Sequence, residues 1–214
     1  MQTRDRLEDL IGAVVADPAR HTRWLNTFSY LEYIGFRKIV KSQRAEILTA
    51  AILGHACEEG RHALGLKKLA VKLGGAEFDS YAPEAVLCGE EAEAYFQNLD
   101  TACDEAFAGR SEAEREKLTY CYVTWLVERR ALDVYQIYKR ALGGVGNREK
   151  ARRPACRGDQ APRDVEAVLY AGDPEFSTRS KEFQAVEAAL YQKFIGALSR
   201  ELARIATIAA PVSA

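Results

Sequence analysis

The chain has 214 residues, 48% of them apolar and 29% charged, with a net charge of −1 at neutral pH. That length lets a single domain over 1–214 bury a sizeable core, and the balanced charge gives no general attraction to nucleic acid or an anionic lipid surface. No apolar run approaches the ~20 residues that span a bilayer, and the first eight residues alternate charges where a signal peptide would be apolar, so a cytoplasmic protein with no membrane or nucleic-acid partner is expected.

Residues 1–18 read as a short N-terminal helix, with Leu7, Leu10, Ile11 and Val14 on one side and Pro18 closing it. A second helix is predicted over about 22–41, where Glu32 takes the step between Phe28 and Phe36 in an apolar stripe. Ser42 is positioned to cap a third helix, with Glu46 near its first turn and Gly74-Gly75 at its end. Residues 76–110 connect the two halves through a turn at 80–83 and a helix with Tyr95, Leu99, Cys103 and Phe107 facing in. Ser111 and Glu114 make a capping-box signature for a long helix ending near Leu142. Its stripe of Leu118, Cys121, Trp125, Leu132 and Tyr135 is broken in the middle by Glu128.

Residues 143–163 read as a basic loop carrying Arg148, Lys150, Arg152, Arg153 and Arg157. Residues 165–171 allow a helical turn or two before Gly172-Asp173-Pro174. The last helix, about 179–209, presents Phe183, Glu187, Leu190, Phe194 and Glu201 on one face. No alternating strand pattern bounded by turn signals survives anywhere. The expected fold is all-α, with four long helices around one core and an extra short N-terminal helix.

The third helix holds a conflict. Leu48, Ile52, His55, Glu59, His62, Leu66, Leu69 and Leu73 recur at intervals of three and four, which places them on one face. That leucine seam is interrupted by a carboxylate and two imidazoles, whose burial is costly unless they are paired or bound to a metal. Glu32 and Glu128 interrupt two further apolar stripes in the same way. Carboxylates converging in a dry core repel one another, and a cation turns the repulsion into coordination. Oxygen and imidazole donors together suit iron, manganese or zinc. The five cysteines, Cys57, Cys88, Cys103, Cys121 and Cys156, are scattered and never form Cys-x-x-Cys, so a cysteine-built zinc site is not expected.

These residues resemble the ferritin-like superfamily of di-iron carboxylate proteins, in which two helices each give one Glu and two others each give Glu-x-x-His. Glu32 in Leu31-Glu32-Tyr33-Ile34-Gly35 looks like the first single glutamate. Glu59-Gly60-Arg61-His62 looks like the first Glu-x-x-His, and Glu128 in Val127-Glu128-Arg129-Arg130 looks like the second single glutamate. The resemblance covers residues 22–142 in order, plus a weaker C-terminal helix. It implies a ferritin-like four-helix bundle that binds iron, with manganese as an alternative, at one or two metal positions. It also implies an oxidase or oxygenase that uses O2 on a small organic substrate, and a homodimer through an outer helix face.

The fourth element departs from that pattern, because His21, His55 and His62 all precede residue 63. Glu187 is one substitute, with Leu190 where the histidine would stand. Glu175 is the other, with Gly172 in the glutamate place. His55 lies two helical turns, ~10 Å, from His62, and is read as a hydrogen-bonded core histidine or a group that holds a ligand in place. His21 is read as a surface or capping residue. Glu32 and Glu128 have a rival reading as salt-bridge partners of Arg37, Arg61, Arg129 or Arg130. The metal set expected is therefore Glu32, Glu59, His62, Glu128 and Glu187. The alternative is a non-catalytic bundle with a degenerate site, acting as a binding or structural protein.

Overall fold

A computed structural model describes residues 2–42, 48–144 and 160–209. Seven α-helices occupy them: α1 (Gln2–Ala16), α2 (Pro18–Ser42), α3 (Ala50–Gly74), α4 (Gly89–Glu105), α5 (Glu112–Gly144), α6 (Gln160–Gly172) and α7 (Phe176–Ala209). Two 3₁₀ turns, Ala76–Phe78 and Pro83–Ala85, lie between α3 and α4, and no strand occurs among the described residues. The all-α expectation holds. None of the described helices is long and apolar enough to cross a membrane.

Helix boundaries follow local chemistry, with some corrections. Pro18 opens α2 instead of merely closing α1, because Asp17 Oδ1 accepts the Arg20 N–H at 2.9 Å and Pro at the first position costs no hydrogen bond. Ser42 does not cap α3, since α2 continues through it. The cap is Thr49, whose hydroxyl accepts the Ile52 N–H at 3.3 Å. Leu48 consequently lies outside α3 and is exposed, while Leu66 is buried and Leu69 and Leu73 are half-buried. Glu46 and the basic cluster between Arg148 and Arg157 lie outside the described residues. Gly75, at φ +101°, ends α3 by donating its N–H to the Val71 carbonyl. The Ser111/Glu114 box forms as expected, with each residue accepting from the other's backbone N–H. Both C-terminal helices are longer than the sequence pattern implies.

α2 and α3 pack as an antiparallel hairpin with the most extensive helix–helix contact in the molecule. Ser29 of α2 donates to the Ala63 carbonyl, and Phe36 lies beside Gly60. The 76–88 connection is pinned to this pair by buried Asn26, whose amide donates to the Ser80 and Ala85 carbonyls at 2.9 Å each. Lys67 adds bonds to Asn26 Oδ1 and Ser80 O. On the other side, α4 packs on α7 and α5 on α6. Trp24, Leu99, Tyr122, Leu169 and Leu198 are all under 2% exposed, so one continuous core joins α2, α4, α5, α6 and α7. The polar seam residues lie where the α2–α3 hairpin faces α5.

Candidate metal centre

Three helices bring five candidate ligand groups and two tyrosines together. α2 contributes Glu32, α3 contributes His55, Glu59 and His62, and α5 contributes Glu128 with the tyrosines that touch the ring and carboxylate partners. His62 Nδ1 lies 3.2 Å from Glu32 Oε2, and Tyr135 donates to Glu32 Oε1 at 3.0 Å. His55 Nε2 lies 3.2 Å from Glu59 Oε1 and 3.7 Å from Glu128 Oε1, while its Nδ1 faces the Tyr120 hydroxyl at 2.8 Å. Ligand atoms of Glu32, Glu59 and His62 all fall within 4.8 Å of one another, and so do those of His55, Glu59 and Glu128. Glu59 belongs to both groups.

The side chains are largely withdrawn from water, with 15% exposure at both Glu32 and Glu59 and 9% at His62. Burial pushes the Glu59 carboxyl up, and the charges of Glu32 and Glu128 push it further, against the opposing pull of His55. Burial alone would lower His55, but hydrogen bonds to Glu128 and Glu59 override it and hold the ring well above the usual imidazole range. The raised values of Glu59 and His55 share one cause beyond burial, a surplus of carboxylate in one place. A metal ion would answer the same surplus of carboxylate with directed bonds.

The rival pairing of Glu32 and Glu128 with Arg37, Arg61, Arg129 or Arg130 is not realised. Arg37 binds Glu93 at 2.8 Å, Arg61 reaches Glu58, and Arg129 lies over the Trp125 ring. Arg130 is taken by Glu187, with Nε to Oε1 at 2.8 Å and Nη2 to Oε2 at 2.7 Å. Tyr95 donates a third bond to the same carboxylate. This corrects the expectation for Glu187: it is buried in α7 but neutralised by a guanidinium, and it joins neither ligand group. Glu175 is no substitute, being exposed and paired with Arg179. His21 is also corrected, because it is buried inside α2 with Nε2 2.5 Å from the Tyr138 hydroxyl.

His55 is hydrogen-bonded, as the sequence reading has it, and its nearness to Glu128 on α5 is what the sequence did not show. Its proximity to Glu59 is legible in His-x-x-x-Glu-x-x-His over 55–62, with the carboxylate on the turn between the two rings. Two cavities flank the cluster. One of ≈ 140 Å³ is bordered by Gly35, His55, Glu59, Thr119, Val123 and Glu128. The other, of ≈ 100 Å³, is bordered by Trp24, Phe28, Glu32, Glu59, His62 and Glu128. Fold and cluster together define an all-α protein with an interior site made of carboxylates and imidazoles. No family model, no curated protein and no solved structure matches this chain.

Proposed function

We propose that this protein is a ferritin-like metalloprotein whose α2, α3, α5 and α7 correspond to the four bundle helices, with α1 as the extra N-terminal one. Iron held by Glu32, Glu59, His62 and Glu128 would serve an oxidase or oxygenase acting on a small organic substrate. The observation that carries the reading is the meeting of Glu32, Glu59 and His62 ligand atoms within 4.8 Å, with Arg37, Arg61 and Arg130 all engaged elsewhere. Two oxygen donors and one imidazole form a donor set that iron and manganese accept. When bound, iron supplies the capacity to activate dioxygen. The chain's own part is to hold the carboxylates largely withdrawn from water, to fix Glu32 through the Tyr135 hydroxyl, and to leave mostly apolar space beside the ligands.

The test is elemental analysis of protein expressed with added iron and, separately, with manganese, followed by oxygen uptake on reduction. Stoichiometric iron with oxygen consumption supports the oxidase. Protein that stays free of transition metal would overturn it and move the reading to a non-catalytic bundle.

A further inference from the structure

We infer that the centre takes two cations, and that His55 is the nitrogen ligand of the second. This rests on the metal-binding reading above and extends it to a residue outside that ligand set. Glu32, Glu59 and His62 form one group, His55, Glu59 and Glu128 form the other, and Glu59 is their only shared member. Each group therefore offers two carboxylates and one imidazole. His55 and His62 sit ~10 Å apart along α3, too far to serve one ion. Glu59 follows one ring by four residues and precedes the other by three, so its two oxygens can face one ion each.

Ring orientation agrees with this assignment. His55 Nε2 points at Glu59 and Glu128, and the opposite nitrogen, Nδ1, is engaged by the Tyr120 hydroxyl at 2.8 Å. A ligating histidine characteristically uses its second nitrogen in that manner, which fixes the tautomer and the ring plane. The distribution of open space agrees as well. Glu59 and Glu128 border both cavities, while His55 borders the ≈ 140 Å³ one and Glu32 and His62 border the ≈ 100 Å³ one. Each position therefore has room beside it for water or a small molecule.

The experiment is an anaerobic titration of metal-free protein with Mn²⁺, read by bound metal and by electron paramagnetic resonance. Wild type is expected to bind two equivalents and to give a spin-coupled spectrum at saturation. His55→Ala and His55→Gln are each expected to bind one equivalent and give an isolated-ion spectrum, with circular dichroism verifying the fold. His62→Ala should likewise bind one. Two equivalents in both His55 variants, or one uncoupled equivalent in wild type, would overturn the role of His55 while leaving the metal-binding reading intact. No binding by wild type would instead remove that reading. If His55→Ala fails to fold, His55→Gln carries the test, and one uncoupled equivalent in wild type overturns the inference without either variant.

Discussion

A Cβ atom on Gly35 would lie 2.9 Å from Oε2 of Glu59. Gly35 is one turn beyond Glu32 on α2, so the bare backbone there lets the α3 carboxylate settle against α2 beside its partner acid. Glycine inside a helix costs about 1 kcal/mol relative to alanine. Gly35→Ala should therefore leave the melting temperature of metal-free protein unchanged or raise it, since the clash falls on the movable end of a side chain. Metal affinity should fall, by roughly the 10–100-fold that follows loss of a ligand's support. Parallel calorimetric melting and metal titration check both halves; an unaltered affinity would mean that Glu59 does not need this approach.

The two tyrosines make separable predictions. Tyr135 donates to Glu32, and Tyr120 meets His55 Nδ1. Tyr135→Phe should weaken the ion held by Glu32 and His62 by roughly 10-fold or more. Tyr120→Phe should weaken the other ion and spare the first. Competition titrations with a chromophoric chelator resolve the two affinities.

Glu187 and Arg130 should matter for stability and not for metal. Removing one partner of a buried ion pair costs about 3–5 kcal/mol, and the 24% exposure of Arg130 places this pair toward the lower end. Glu187→Ala should lower the unfolding free energy by about 3 kcal/mol and leave the number of bound metal ions unchanged. Urea unfolding with elemental analysis of the same samples tests it. A lost equivalent of metal would return Glu187 to the ligand set.

Asp173 provides the pH test. Its buried carboxylate accepts from Tyr122 at 2.7 Å and from Arg179 Nε at 2.9 Å through Oδ2, and from the Glu175 N–H at 3.1 Å through Oδ1. Burial alone would raise its pKa, but these bonds and the Arg179 charge outweigh it and hold the group below the usual carboxylate range. The unfolded chain thus takes up this proton at a higher pH than the folded one. The stabilisation is complete above the unfolded pKa of ~3.9 and is lost as the pH falls through the lower folded value. Asp173→Asn should cost about 1.5–3 kcal/mol at neutral pH, the range for bonds to a charged group. Denaturation midpoints of wild type and variant should then converge in acid; a constant gap would contradict the depressed pKa.

The site was readable in part because three of its helices carry a carboxylate in the middle of an apolar stripe. Glu32, Glu59, His62 and Glu128 stand out that way, and the structure draws all four to the α2–α3–α5 meeting point. Glu187 carries the same signal and answers to a different cause. The stripe shows that its carboxylate is buried, but only the arrangement of α5 against α7 shows Arg130 as the group that neutralises it. His55 was legible as a hydrogen-bonded histidine but its partner on α5 was not: its distance from His62 along α3 is fixed by helix rise, while its nearness to Glu128 depends on α5.

The sequence by itself determined that this is a helical protein, where several helices end, and which face of most of them turns inward. Backbone sterics and a 3.6-residue repeat act over a few residues and need no knowledge of the rest of the chain. Tertiary structure alone decided which inward faces meet, and so which acids found an arginine and which found a histidine. Those pairings join residues tens of positions apart, and only packing sets their distances.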